Sequence, residues 1–341
     1  MQRRITMKKI LLLFLSITIT ILLTSCNSFG GGATITFHNS EIDEVLKEDF
    51  NTINKRIVDS IIDDCPEVML EMASDDIKKT SGTIKEFYSQ LKNSKHKIDF
   101  KIMDEYYVKI SKIGDYNITI ETFQDDSFYV NNIKAVSDEM YVGLFTTDDK
   151  ITGYLLTLIY IKENGNWKLY SVNCGDYTYQ GLSAIDYFQK AKTLYDKEYK
   201  IPAYLYMNLG TKLLRPAVFL QYKKQSEFDE FYKKLCNDLN KSLIFPIEMN
   251  NVISNPGIWN FNSSNTIEGI VPIIIYKSNI GLSNEIGLKD EANEMKLSID
   301  KLLPGISESF EYICFQAYSE YPKDPNKQYP NFGTVLRTKE K

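Results

Sequence analysis

The sequence has few of the residues on which enzymes and metal sites most often depend. Its 341 residues include two histidines, His38 and His96, and neither stands at metal-ligand spacing from a cysteine or a carboxylate. The same scarcity argues against a histidine that activates a nucleophile. No glycine-rich loop joins an apolar strand to a helix, as a phosphate-binding loop requires. The sequence therefore predicts no catalytic residue, no metal and no cofactor.

Adjacent aspartates are the remaining candidates for acid–base chemistry. They occur as Asp63-Asp64, Asp75-Asp76, Asp125-Asp126 and Asp148-Asp149. Each pair falls at a predicted helix end or turn, where carboxylates are normally solvated. A catalytic pair needs apolar surroundings that separate the two pKa values, and a calcium loop needs acids that alternate with other oxygen ligands. These aspartates are therefore predicted to be surface residues.

Apolar runs long enough to span a bilayer are also missing. The run from Ile10 to Leu23 follows Lys8-Lys9 and is followed by Thr24, Ser25 and Cys26. A basic head, a short apolar run and small residues are typical of a secretory signal. The last four residues of this segment resemble the lipobox of bacterial lipoproteins. The resemblance implies cleavage before Cys26 and attachment of fatty acid, such as palmitate, to its thiol.

A lipid on Cys26 would anchor the chain to a membrane of a bacterial cell envelope, with the body outside the cytoplasm. Stable anchoring takes two acyl chains or more. Arg3-Arg4 leaves a twin-arginine export signal open as an alternative, although Lys8-Lys9 already supply the head of an ordinary signal.

Because acidic residues outnumber basic ones, the overall charge of the chain does not attract it to polyanions. The formal net charge is −5, and removal of the signal takes away four basic residues and no acidic one. Such a chain is not drawn to nucleic acid or to anionic lipid by its overall field. The sequence therefore predicts no nucleic-acid partner.

Cysteine is scarce as well, and the pairing of the four that follow the lipobox stays open. Cys65, Cys174, Cys236 and Cys314 are widely spaced and allow three pairings in an oxidising compartment. Cys236 lies on the apolar face of a predicted helix, which favours a buried thiol there.

The first part of the mature chain begins with helices and continues with strands. Apolar residues at helical spacing predict one long amphipathic helix from Ser40 to Asp63. After Lys97 the period changes to two, which predicts five or six antiparallel strands with one buried and one solvated face. Asn164-Gly165 is a strong hairpin signal between the last two strands.

This order of elements resembles the cystatin-like, nuclear transport factor 2-like superfamily. The resemblance implies that the long helix packs across a curved sheet and forms a cone. In relatives of this fold the concave face holds either a small apolar ligand or side chains alone. Tyr107, Tyr141, Phe145 and Tyr154 are the aromatic positions that could line a ligand site in the cone, and aromatics at strand spacing also form cores.

Two helices and a second domain are predicted to follow. The helices, Gln180 to Glu198 and Ile201 to Leu214, read as an antiparallel hairpin. Beyond Pro216 the order βαββαβ with one more strand, starting at Ala217 to Tyr222, is that of a split βαβ domain. Pro272 within an apolar run indicates an edge strand or a bulge.

Aromatic residues on two predicted loops of the second domain are candidates for partner binding. The loop from Ser254 to Ser264 carries Trp259 and Phe261, and the proline-rich loop from Tyr321 to Pro330 carries Tyr329. Exposed aromatics on loops are unfavourable unless they pack against something.

The sequence thus predicts an α+β lipoprotein with a non-enzymatic binding or protein-interaction role, its partner another envelope protein. A carrier of a small apolar ligand in the cone is the first alternative, and an enzyme that uses the cone is the second. The predicted parts are the signal (1–25), the lipidated cysteine with a flexible tether (26–39), the cystatin-like domain (40–178), the helical hairpin (179–215) and the C-terminal α+β domain (216–341).

Overall fold

The computed structural model shows an α+β protein in which helices pack on antiparallel and mixed sheets. It describes residues 32–79, 81–92, 99–121, 128–324 and 326–339. The predicted signal, the lipidation residue Cys26 and His96 lie outside the described residues.

A five-stranded antiparallel sheet, here called the central sheet, dominates the first half of the chain. Its spatial order is β1-β2-β5-β6-β7. The strands are β1 (Thr34–His38), β2 (Phe100–Ile110), β5 (Glu139–Thr147), β6 (Thr152–Glu163) and β7 (Asn166–Tyr179). Asn164 and Gly165 both have positive φ in the two-residue turn between β6 and β7, as the hairpin signal predicts. Residues 34–38, expected within the tether, instead pair with β2, since Thr34, Ile35, Thr36 and Phe37 are all β-branched or aromatic residues that favour strands.

The long helix predicted near the N-terminus covers one face of the central sheet, here called the helix face. Helix α1 (Glu44–Ile62) starts later than expected, since the carboxylate of Asp43 caps it and a short 3₁₀ turn occupies Asn39–Glu41. Phe50, Ile57 and Ile61 point from α1 into the core. The helices that follow are α2 (Pro66–Met72), α3 (Asp75–Lys79) and α4 (Ser81–Lys92).

The opposite face of the central sheet is also covered, so the expectation of one solvated face is wrong. Two antiparallel helices, α5 (Ala184–Asp196) and α6 (Lys200–Leu213), confirm the helical hairpin and share a core with Val142 and Ile159. Helix α6 is buried on almost every side, as its apolar sequence requires. The face that alternation leaves solvated, with Glu105 and Tyr107, is the helix face that α1 covers. The apolar face with Val142 is the one that α5 and α6 bury.

Two of the strands that the sequence predicts in the first meander belong instead to a small three-stranded sheet. It has the order β3-β4-β8, with β3 (Asn117–Glu121), β4 (Phe128–Lys134) and β8 (Leu220–Tyr222). The strand expected to open the second domain is β8, and it pairs antiparallel with β4. The chain beyond the helical hairpin therefore completes a sheet of the first half.

The second five-stranded sheet, here called the outer sheet, is mixed. Its order is β13-β12-β11-β10-β9. Strands β11 and β12 are parallel, and helix α8 (Glu285–Leu302) forms the crossover that joins them. Its strands are β9 (Ile247–Glu248), β10 (Gly257–Thr266), β11 (Gly269–Lys277), β12 (Tyr312–Tyr318) and β13 (Asn331–Arg337), and the nearby helices are α7 (Gln225–Ser242), α8 (Glu285–Leu302) and α9 (Ile306–Ser309).

Pro272 lies in β11, which has neighbours on both sides. It is paired with Ser263 of β10, whereas the ladder with β12 begins at Ile273. At Pro272 the strand therefore has one partner, which is where a residue without a backbone N–H is tolerated.

One continuous core joins the outer sheet to the central sheet. Leu205 and Leu209 of α6 belong to the same buried cluster as Val142 of the central sheet and Ile274 and Phe315 of the outer sheet. A second cluster fills the space between α1 and the helix face.

Candidate functional site

The four aromatic residues predicted to line the cone all lie on the helix face. Tyr107 and Tyr141 are direct partners across β2 and β5, Phe145 follows on β5, and Tyr154 lies on β6. Tyr141 and Phe145 are buried, whereas Tyr107 and Tyr154 are half-buried. The structure thus brings these side chains into one cluster with α1.

Helix α1 fills the middle of this face. The ring of Phe50 stacks on Tyr141 with centroids 3.5 Å apart and lies 5.2 Å from Tyr160 and 4.9 Å from Trp167. Both Phe50 and Tyr141 are fully buried. An aromatic side chain of the protein itself therefore stands where an apolar ligand would stack.

The hydroxyl of Tyr141 donates a hydrogen bond to Glu105, a buried carboxylate on β2. Lys47 of α1 places its Nζ 2.9 Å from the other oxygen of Glu105. Burial, then the hydrogen bond to Glu105 and the charge of that carboxylate, raise the pKa of Tyr141 well above its ordinary value. Tyr141 therefore stays protonated at neutral pH and acts as a hydrogen-bond donor rather than as a base.

A second tyrosine and carboxylate repeat this arrangement one residue pair away. Tyr107 on β2 donates to Oε2 of Glu139 on β5 at 2.5 Å, and Lys162 of β6 lies 2.8 Å from Oε1. Although burial disfavours its charged form, hydrogen bonds from Lys162 and Tyr107 hold the pKa of Glu139 below its usual value. Because Tyr107 faces Tyr141 across the ladder, the two tyrosine–carboxylate bonds run along parallel diagonals, with the donor on β2 in one and on β5 in the other.

The expectation of one solvated face explains why these carboxylates were not predicted. Glu105 shares its face with Tyr107, on the side that alternation leaves solvated, and Lys47 of α1 packs against it. Asp104, beside the register shift that follows Ile102, lies 2.9 Å from Nε2 of His38, which stacks on Tyr106. Neither residue belongs to one of the adjacent aspartate pairs, which were the sequence candidates for acid–base chemistry.

The second group of predicted residues surrounds the outer sheet, and the expected loop is a strand. Trp259 and Phe261 lie in β10, where the register shifts between Ile258 and Asn260. This bulge leaves Trp259 half-buried at the surface and turns Phe261 inward against Phe245, with 5 % of its surface exposed. Phe261 is therefore a core residue and not a contact for a partner.

Trp259 pairs with a second aromatic from the proline-rich loop. The rings of Trp259 and Tyr321 lie 5.1 Å apart and both are half-buried. Lys323 lies 5.9 Å from the Trp259 ring and Lys277 5.7 Å from the Tyr321 ring. Tyr329 lies further along the same loop, where its hydroxyl accepts the backbone N–H of Asp324 at 3.1 Å.

The face of the outer sheet opposite the shared core is here called the open face. The ladder partners Asn260 with Ile275 and Gln316 with Gly333 define one row across it. All the helices that join the continuous core pack against the other face, through residues such as Ile274 and Phe315. The other side chains that point to this face include Asn262, Ser264, Val271, Ile273, Lys277, Tyr312, Cys314, Tyr318, Asn331, Val335 and Arg337.

The other sequence candidates do not converge on a site. Cys65, Cys174, Cys236 and Cys314 are all free thiols, and burial raises the pKa of Cys174 to about 12. Among the residues described, no group of three or more potential ligands could hold a metal ion. Within those same residues, no helix combines the length and the apolar composition that a membrane span needs.

Comparison with protein-family models, curated proteins and solved structures finds no significant match to this chain.

Proposed function

We propose that this chain is a lipid-anchored protein of the bacterial cell envelope with a non-enzymatic binding role, and that its contact surface is the open face of the outer sheet. The observation that carries the proposal is the contrast between two aromatic groups. Phe50 closes the helix face from within, whereas Trp259 and Tyr321 remain half-exposed beside the open face. Large half-exposed aromatics at a rigid surface are the residues that most often anchor a partner.

The anchor is proposed on the sequence between Lys8 and Cys26, with its basic head, apolar run and lipobox-like end. The finer fold assignments are proposed as well. The long helix α1 across the central sheet supports a cystatin-like first half, and the parallel pair β11–β12 around α8 supports a βαβ unit in the second. The pairing of β8 with β4 leaves the first strand of a split βαβ arrangement outside the outer sheet.

The two alternatives are less well supported by the same geometry. A carrier of an apolar ligand would have to move Phe50 off Tyr141, which exposes a buried aromatic pair. An enzyme that uses the cone would have to release Tyr107 or Tyr141 from Glu139 or Glu105. We therefore place the function on the open face.

Two measurements in the producing cell test the proposal. Radiolabelled palmitate should enter the chain, and Cys26→Ser should abolish both the label and recovery with the membrane fraction. A photo-cross-linking amino acid at Val335, which is 60 % exposed on the open face, should give a discrete adduct. The same probe at Ile253, 87 % exposed in the turn before β10, is the control and should give none.

The outcomes separate the two halves of the proposal. An unlabelled chain, or a Cys26→Ser chain that stays with membranes, would remove the lipid anchor. Equal cross-linking from Val335 and Ile253, or none from either, would remove the open face as the contact surface.

A further inference from the structure

We propose that the open face binds an acidic polysaccharide, with a sugar ring stacked on Trp259 and Tyr321 and its negative groups near Lys277 and Lys323. This inference rests on the proposed function, because it names the partner of that same surface. It is carried by three features that lie side by side: an aromatic platform, a set of oriented amides, and two lysines.

The aromatic platform is held in place from below. Tyr321 lies over Gly257, where an added Cβ would come within 2.4 Å of the tyrosine hydroxyl and 3.4 Å of Pro246. Trp259 stands at the bulge of β10, and its ring lies 5.1 Å from that of Tyr321 at an angle of 35°. Two fixed rings at this angle offer a broad apolar ledge, and the C–H face of a sugar ring matches it. Little conformational entropy is lost when such rigid rings take up a ligand.

Two asparagines beside the platform have their amides set for donation. Oδ1 of Asn260 accepts the N–H of Phe261, and Oδ1 of Asn262 accepts the N–H of Ser263, both at 2.8 Å. Both side chains are exposed, and within the described chain neither amide nitrogen has a hydrogen-bond partner. Each therefore presents two N–H donors to the solvent, which suits the hydroxyl and ring oxygens of a carbohydrate.

The next strands extend this row across the sheet. From Asn260 it passes the apolar Ile275 to Gln316, whose amide nitrogen donates to Oδ1 of Asn331 at 3.0 Å. It ends at Gly333, where an added Cβ would meet nothing closer than Sγ of Cys314 at 3.8 Å. The missing side chain at Gly333 leaves a shallow notch at the end of the row. A chain of several sugar units can lie along such a row, whereas a single small ligand would use only part of it.

The lysines select a negatively charged chain. Lys277 and Lys323 flank the two rings, and no ion pair joins either of them to a carboxylate of the described residues. The chain as a whole has a net charge of −5, and Oε1 of Glu248 lies 3.3 Å from the position of an added Cβ at Gly257, beneath Tyr321. The attraction of a polyanion therefore comes from the two lysines, against that carboxylate. An anionic membrane surface carries similar charge. On a membrane, however, the exposed amides of Asn260 and Asn262 would lose their hydrogen bonds to water and contact lipid groups that do not replace those bonds.

Affinity electrophoresis of the full chain in mild detergent tests the proposal. Gels that contain polygalacturonate should retard the protein, whereas neutral dextran should retard it less. Poly-glutamate, with equal charge and no sugar, should not retard it. Trp259→Ala should raise the dissociation constant for polygalacturonate about tenfold, as expected for loss of a central aromatic contact. Lys277→Gln should raise it about threefold, less at high salt.

A matched control is available on another surface. Lys234 lies 4.7 Å over the ring of Tyr195, so Lys234→Gln removes a similar cation–aromatic pair from the helical part and should leave binding unchanged. Trp259→Phe should retain part of the affinity and guards against a folding defect, which circular dichroism would show.

Several results would overturn the inference. These are equal retardation by poly-glutamate, no retardation by polygalacturonate, or binding to phosphatidylglycerol vesicles alone. If cross-linking at Val335 still traps an envelope protein while polygalacturonate does not bind, the binding role survives and the saccharide does not.

Discussion

The central sheet and the outer sheet have the same number of strands but are used differently. Alternate residues of the central sheet face two separate cores, so Tyr141 and Val142 are both fully buried. In the outer sheet, Ile274 is buried while its neighbours Ile273 and Ile275 are half-exposed. The buried polar groups of the central sheet bond to each other. On the open face Gln316 bonds to Asn331 and Arg337 to Tyr312, while Asn260 and Asn262 are exposed. A sheet covered on both sides has little exposed surface for binding, whereas the outer sheet has its open face.

Removal of the ring that closes the helix face should have the largest effect. Phe50→Ala is expected to lower the free energy of unfolding by about 3–5 kcal/mol, because it leaves a cavity against Tyr141, Tyr160 and Trp167. Ile253→Ala, at an exposed position, should change it by less than about 0.5 kcal/mol. Urea unfolding measures both, and a Phe50→Ala protein as stable as the Ile253→Ala protein would contradict the closed state of this face.

A smaller difference in the free energy of unfolding is expected between the loss of two tyrosine hydroxyls, one on each sheet. Tyr141→Phe removes the donor to the buried Glu105 and should cost about 1.5–3 kcal/mol, as for a hydrogen bond to a charged group. Tyr318→Phe is the matched change on the open face, where the hydroxyl has no partner among the described residues. It should be neutral within about 0.5 kcal/mol. If the two variants unfold at the same urea concentration, the contrast between the sheets fails.

The smallest expected effect is on the stability of the protein at low pH. The pKa of Glu139 in the folded protein lies below its ordinary value of 4.5. Its contribution to stability is therefore complete above that pH and is lost as the pH falls through the lower folded pKa. Glu139→Gln should flatten the fall in stability between about pH 5 and pH 3. Lys162→Met should do much the same, because Lys162 supplies the first of the hydrogen bonds that lower this pKa. A profile that remains equally steep in both variants would exclude the Glu139–Lys162 pair as its source.

The sequence was a good guide where the local signal and the tertiary structure agree. The turn at Asn164-Gly165, the stripe of Phe50, Ile57 and Ile61 on α1 and the helical hairpin all appear as predicted. In each case the pattern requires contact with a near neighbour in the chain or with one apolar face. The α+β class follows from the same signals.

The sequence failed where distant parts of the chain decide the outcome. Alternation predicts that the side of Tyr106 and Val142 is buried, but nothing local indicates that α5 and α6 are the helices that cover it, or that β8 will pair with β4. The bulges in β2 and β10 shift the register by one residue. The bulge in β10 turns Phe261, unlike Trp259, into the core. The segment around Trp259 was predicted to be a loop because the Asn and Ser residues of this strand are typical of loops.

Helix α6 has a consequence for the mechanics of the molecule. Its side chains belong to the core of both sheets, Gly210 lets Phe228 of α7 approach closely, and Asn265 of the outer sheet donates to the carbonyl of Ile151 beside the central one. A hinge between the sheets would have to break this packing. The distance from β1 to the open face is therefore fixed by the packing around α6.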